Sequence, residues 1–387
     1  MLIIILSLIG VGLGASTPEV LSFTKANNHF ALNLLKSLPI EGNHVLASPF
    51  SLSVAMAMLY NGARGVSENE LAVVLGYNVT GLQNRTALLS AIEETLKSFS
   101  HYDGDVTLKV ANSILVQKGL AVKEAYREDV QRIFQALVED VNFTDGTQLT
   151  RINDWVSNQT NGKIKNFLEE LHPTTQMVIL NAVYFKGSWQ TQFNKTETKK
   201  APFYNHGVNK TLVDMMKTYG LDIRLGSIHS LGTDAVELPY IDGKVSLLVL
   251  LPHKRSGLPA LLEHLNVQTL KNVLESLHSS KGTVQLPKFH LESEYTLNEN
   301  LVKLGAGSIF DPARADLSAI SPGLVVEDVR HKAVIEVNEE GSEAAASTSV
   351  TTTRSASKRI IVDHPFLFLI RHADTNTILF LGVVNAL

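Results

Sequence analysis

Residues 339–359 read EEGSEAAASTSVTTTRSASKR and lie between two strand-like runs, IEVN before them and DHPFLFLIR after them. From Ala344 to Thr353 every residue is small or β-branched, and none is charged, aromatic or proline. Loops are ordinarily rich in Gly, Pro and Asn. Side chains alternate between the two faces of a strand. One parity here is Ser342, Ala344, Ala346, Thr348, Val350 and Thr352, all compact and uncharged, and this face fits a sheet interior. The other, from Glu343 through Ala345, Ser347, Ser349 and Thr351 to Thr353, is more polar and suits solvent. The stretch is written as a strand that can be buried. It leads directly into a basic cluster, Arg354, Lys358 and Arg359, of the kind that trypsin-like proteases cut. Composition alone also describes a flexible Ser/Thr-rich linker. A linker this near the end of the chain, between two strand signals, would have no second domain to join.

Outward from this stretch, the N-terminal third reads helical. Phe23, Ala26, Phe30, Leu34 and Leu38 recur every three or four residues and make one apolar stripe. Ser48-Pro49 is an N-cap followed by proline at the first helical position, and Gly62 suits the far end of that helix. Ser67 with Glu70 predicts a capping box for a further helix. Helical pattern returns at 87–99, 123–134, 147–157 and, as a single helix, 259–276. The remainder is strand-rich: 178–189, 244–251, 283–291, 333–338, 366–371 and 378–384. Helices first and strands later predict an α+β fold. No Pro/Gly/Ser tract or repeat divides the chain, so a single domain over residues 15–387 is expected.

The chain has 387 residues, 44% hydrophobic and 19% charged, which describes a folded protein with a large core. With 34 Lys+Arg against 38 Asp+Glu the net charge is −4, so no basic field exists to make nucleic acid its main partner. Residues 1–14, MLIIILSLIGVGLG, are apolar but shorter than the roughly 20 residues of a membrane span. They read as a secretory signal peptide, and the mature chain is expected to be secreted, with no membrane anchor. N-x-Ser/Thr acceptors at Asn78, Asn84, Asn142, Asn158, Asn194 and Asn209 agree with that route as glycosylation sites. Cysteine is absent, which excludes disulfides, thiolate nucleophiles and Cys-ligated zinc.

Catalytic signatures are missing. There is no G-x-S-x-G elbow, HExxH pair, phosphate loop or EF-hand spacing. Gly10, Gly12 and Gly14 resemble part of a dinucleotide fingerprint but fall inside the leader. The 13 histidines are scattered, and no cofactor or metal is implied.

The chain resembles a serpin from about Phe23 to its end. The resemblance rests on NHVLASPFSLSVAMAMLYNGA at 43–63, INDWVSNQTNGKI at 152–164, VILNAVYFKGSW at 178–189 and VDMM at 213–216. It continues in ELPYIDGKVSLLVLLP at 237–252, LPKF at 286–289, HKAVIEVNEEGSEAAAST at 331–348, HPFLFLIR at 364–371 and ILFLGVV at 378–384. It implies three β-sheets, eight or nine helices and an exposed reactive-centre loop, here about 339–363. It further implies suicide inhibition: a serine protease cuts the loop, and the cut loop enters the central sheet as a new strand.

By the same resemblance the hinge is Glu339, Glu340, Gly341, Ser342, Glu343, Ala344, Ala345, Ala346, Ser347 and Thr348, with neither proline nor a large inward residue to spoil it. Ser48, Ser51, Asn181 and His331 match the polar shutter beneath the opening sheet. Trp189, Lys288 and Glu339 match the breach where the loop first enters, with a Glu339–Lys288 pair expected. The reactive bond is read as Arg354-Ser355. The family's usual spacing from Glu339 lands on Ser355, whereas counting back from Pro365 lands on Arg354; Ser355 itself and Lys358-Arg359 are the alternatives. The partner is then a trypsin-like serine protease in covalent complex with a monomer. The alternative is a non-inhibitory relative acting as carrier, storage protein or chaperone. A glycosaminoglycan site at Lys195, Lys199, Lys200, His206, Lys210 and Lys217 is the weaker reading against a solvated strand-and-loop face.

Overall fold

The computed structural model describes residues 16–82, 84–99, 106–241, 243–340 and 358–387. The expected leader at 1–14, the expected hinge from Gly341 to Thr348 and the expected Arg354-Ser355 reactive bond lie outside the described residues.

The elements run α1 (Pro18–Ser37), β1 (His44–Ala47), α2 (Pro49–Gly62), α3 (Gly65–Val74), α4 (Tyr77–Thr80), α5 (Arg85–Phe99), β2 (Val106–Gln117), α6 (Glu124–Phe134) and β3 (Leu137–Val141). Next come α7 (Thr147–Gln159), β4 (Met177–Gly187), β5 (Lys199–Asn205), β6 (Asn209–Ile228), β7 (Thr233–Pro239), β8 (Val245–Pro252), α8 (Leu258–His264) and α9 (Val267–Ser276). The chain closes with β9 (His278–Pro287), β10 (Phe289–Thr296), α10 (Asn298–Leu304), β11 (Asp328–Val337), β12 (Lys358–Ile361), β13 (Phe366–His372) and β14 (Ile378–Val384).

Local chemistry accounts for the helix starts. The Thr17 side chain accepts from the Val20 amide and Pro18 opens α1, whose buried stripe includes Phe23, Ala26, Phe30 and Leu34. Ser48 caps α2 by accepting from the Ser51 amide, with Pro49 at the first helical position. The Ser67–Glu70 capping box does not form. Both residues lie inside α3 and are spent on distant chain: Ser67 bonds Ser308 and takes the Asp316 amide, while Glu70 takes the Ser308 amide and Arg314. The single helix expected over 259–276 is two, α8 and α9, because Asn266 and Thr269 form a capping box that starts α9 afresh. The run at 283–291 likewise divides at Lys288 into β9 and β10, which join different sheets. With the split of α8 from α9 and the short helices α4 and α10, which the sequence pattern did not mark, the α-helices number ten among the described residues.

Two sheets form among the described residues. One has five strands in the order β10-β11-β4-β2-β3. The other has nine, ordered β1-β14-β13-β8-β7-β6-β9-β12, with β5 on the free stretch of β6. The resemblance implied three sheets. Here β6 runs unbroken for 20 residues through the region where two would part, pairing in turn with β5, β9 and β7, and takes up the bend in a register shift between Thr218 and Leu221.

Strand β4 explains its own sequence. Met177, Ile179, Val183 and Phe185 join the main core, which includes all the large apolar residues of α2. Val178, Leu180, Ala182 and Tyr184 join a second core with Ile152 and Val156 of α7 and with Ile164, Phe167 and Leu168 beyond it. A strand covered on both faces reads as a continuous apolar run.

Candidate functional site

The site is the seam between β4 and β11. These two strands pair in parallel from Asp328↔Val178 to Glu336↔Lys186, whereas β10 on one side and β2 on the other are antiparallel to them. The seam has α2 beneath it and α7 above it.

Half-way along, four polar or aromatic side chains stand abreast. Asn112 of β2, Asn181 of β4, His331 of β11 and Tyr295 of β10 are cross-strand neighbours. Period-two alternation puts them on one face, and the start of α2 meets that face. The Ser48 amide donates to His331 Nε2 at 3.1 Å, which leaves the ring proton on Nδ1. Nδ1 then donates to Asn181 Oδ1 at 2.5 Å, and the Asn181 amide donates to Ser51 Oγ and to Asn112 Oδ1. Ser48 Oγ donates to the Leu379 carbonyl at 2.7 Å. The expected shutter residues, Ser48, Ser51, Asn181 and His331, are thus one buried network. Burial pushes the His331 pKa down to about 4, against a hydrogen bond with Asn181 that pulls it up, so the ring is neutral at physiological pH. Asn112 completes the network and was missed by sequence reasoning. Its signal is a lone amide in a run, VANSILV, that is apolar apart from Asn112 and Ser113.

At the top of the seam stands Trp189. Its indole N–H donates to the Asn338 carbonyl at 2.7 Å, and its ring stacks on Tyr240 at 4.4 Å and meets Phe193 edge-on at 5.7 Å. Gly187 is required here, because a Cβ would stand 2.5 Å from the Tyr240 ring. The expected ion pair is present: Lys288 Nζ lies 3.0 Å from the buried Glu339 carboxylate. Burial pushes the Glu339 pKa up, but its own backbone N–H and Lys288 outweigh this and hold the group ionised below the usual carboxylate range. Glu340 pairs with Lys186 of β4 at 3.2 Å and with Lys195 at 3.1 Å. These two lysine partners were not foreseen.

The chain that follows residue 357 is anchored as well. β12 pairs in parallel with β9, Ile360 and Val362 are buried, and Lys358 lies 3.7 Å from Asp234. The chain on one side of residues 341–357 therefore lies at the top of one sheet, and on the other side at the edge of the second sheet.

The remaining candidates are spread over the surface. Asn78, Asn84, Asn158, Asn194 and Asn209 are exposed, and Asn142 is half-buried. Of the six basic residues, Lys195 is engaged with Glu340, Lys200 with Asp214 at 3.0 Å, and Lys217 lies over the Tyr219 ring. Lys199, His206 and Lys210 are exposed. Among the described residues no cluster of His, Cys, Asp or Glu could hold a metal ion, and no helix is long and apolar enough to cross a membrane.

Known proteins share this architecture. The model of the serpin (serine protease inhibitor) family matches residues 25–387. Iripin-8 of Ixodes ricinus is 41% identical over 94% of this chain and 93% of its own, and intracellular coagulation inhibitor 1 of Tachypleus tridentatus is 39% identical over 94% and 89%. The crystal structure of uncleaved ovalbumin, 28% identical, superposes with a TM-score of 0.87 over 94% of this chain and all of that one. A parallel seam over a buried Ser–Asn–His network, held at its mouth by Trp189 and a Lys–Glu pair, is therefore found in a chain that belongs to the serpin family of serine protease inhibitors.

Proposed function

We propose that the protein is a secreted, monomeric suicide inhibitor of trypsin-like serine proteases, cut at Arg354-Ser355. The observation that carries this reading is the β4–β11 pairing. It is a parallel pair flanked on both sides by antiparallel ones. One more strand, running down from the top, would be antiparallel to both neighbours and would make the whole centre of the sheet antiparallel. The chain leaves β11 at that top, and the compact, uncharged parity from Ser342 to Thr352 supplies a face that can enter it.

The chemistry follows from the loop. The Arg354 guanidinium suits an aspartate at the base of a trypsin-like pocket, a charge-assisted bidentate contact. The protease serine Oγ attacks the Arg354 carbonyl carbon, the Ser355 amine leaves as a new N terminus, and an ester joins Arg354 to the enzyme. Insertion then draws the ester across the molecule before water can hydrolyse it. Roughly ten new ladder bonds at about 1 kcal/mol each drive that movement. The leader at 1–14 and the sequons support passage through the secretory route.

The test is to mix the purified chain with trypsin. An SDS-stable band at the summed mass, with a released peptide beginning at Ser355, is expected. A cut chain without a complex would overturn the inhibitory reading.

A further inference from the structure

One carboxylate bridges the top of the seam. Lys186 is on β4, directly opposite Glu336 in the last rung of the β4–β11 ladder. Its Nζ reaches across to Glu340 Oε2, while Lys195, in the 3-10 turn Lys195–Glu197, takes Oε1. The backbone aims this carboxylate. The Glu340 amide donates to Asn338 Oδ1 at 2.9 Å, and Asn338 is itself fixed through its carbonyl by the Trp189 indole. Lys195 and Lys186 hold the Glu340 carboxyl below the usual range, in keeping with two cations on one anion. Glu339 differs. Its partner Lys288 precedes β10, which already lies beside β11, so that pair does not cross the seam.

We propose that Glu340 is a latch: gripping Lys186 and Lys195, it holds the top of the β4–β11 seam shut, and its release is the step that admits a new strand. The inference rests on the insertion reading above and adds the residue that sets its threshold. A strand entering from the top must pass between β4 and β11, which is where the Lys186–Glu340 pair runs. Solvent-exposed pairs are individually weak, so the latch tunes a rate and does not lock a state. Screening by salt must loosen it.

The experiment uses the full chain and Glu340→Gln, with Lys195→Gln as a second variant that removes one of the two grips. Hydrogen–deuterium exchange is followed at the amides of residues 183–186 and 334–337, which report opening of the seam. Exchange is expected to be about five-fold faster in Glu340→Gln, and intermediate in Lys195→Gln. Raising salt from about 0.1 to about 1 M, which cuts the screening length from about 10 to about 3 Å, should accelerate the wild type and leave Glu340→Gln nearly unchanged. A synthetic peptide copying residues 342–353 should enter Glu340→Gln faster by a similar factor. Wild-type exchange rates in Glu340→Gln, an equal salt response, or peptide uptake that is measurable and equal in the two chains would each overturn the latch. Faster exchange in the variant, in a protein that captures neither peptide nor protease, would uphold the latch as a clamp on the seam and remove the inhibitory reading instead.

Discussion

His331 shows what a single residue does under the seam. It is fully buried, its Nε2 is occupied by the Ser48 amide, and a proton there would have to expel that amide. Its folded pKa of about 4 lies below the 6.5 of a free imidazole, so the unfolded chain binds the extra proton first. Stability from this group is complete above pH 6.5 and is lost as pH falls towards 4. Two to three pKa units correspond to roughly 3 kcal/mol. The carboxylates with lowered values, Glu336, Glu339 and Glu340 among them, lose their contribution only below about pH 4.5, so the histidine window stands apart. Denaturant midpoints measured from pH 7 to 4.5 should fall steeply in the wild type and stay nearly flat in His331→Gln; parallel curves would refute this. The proposed reading gives recognition to a second residue, Arg354. Arg354→Ala should abolish inhibition of trypsin, and unchanged association rates would move the reactive bond elsewhere.

At the scale of elements, the proposed mechanism requires the hinge to travel as a strand, and that sets a rule for its inward positions. Arginine at Ser342 would carry an unpaired charge into the sheet interior at a cost of several kcal/mol. Ser342→Arg should therefore turn the inhibitor into a substrate: cut chain accumulates and the stoichiometry of inhibition rises. A full yield of covalent complex from that variant would contradict strand insertion. Elements with strong local signals were legible in the sequence. α2 announced itself by Ser48-Pro49, and β4 by an apolar run that only two covering layers permit. β6 was not legible, because NKTLVDMMKTYGLDIRLGSI mixes charges and apolar residues along a strand whose partners change from β5 to β9 to β7. The α8–α9 break was hidden for a related reason: the apolar period carries through Leu265, and only the reciprocal Asn266–Thr269 bonds interrupt it. The site divided the same way. The residues of the shutter and breach were named by resemblance to a family, while Asn112, Lys186 and Lys195 owe their roles to strand register and a turn that no spacing announces.

For the whole molecule, the proposed reading treats the parallel β4–β11 pairing as a place where the sheet of the uncleaved chain can still be extended. The shutter network and the breach contacts both stand beneath or above the strands that would have to part. On the proposed reading, cutting at Arg354 would remove the connection to β12, which is held on β9, and would free the N-terminal portion to enter the sheet. The gain is a full strand: about ten ladder bonds at about 1 kcal/mol each, with the burial of its compact face in addition. Unfolding entropy of about 2.1 cal/mol/K per residue over 387 residues comes to roughly 0.8 kcal/mol/K. Ten kcal/mol or so then raises the melting temperature by roughly 12 °C at least, from a covalent change that only breaks a bond. An ordinary nick in an exposed loop lowers stability or leaves it alone. The measurement is a thermal melt of the chain before and after limited cleavage at Arg354 by a protease that releases it. A rise of that size, with the Ser342→Arg variant showing a smaller one, is expected; a melting temperature unchanged by cleavage would mean that the seam stays closed and that the loop is bait without a trap.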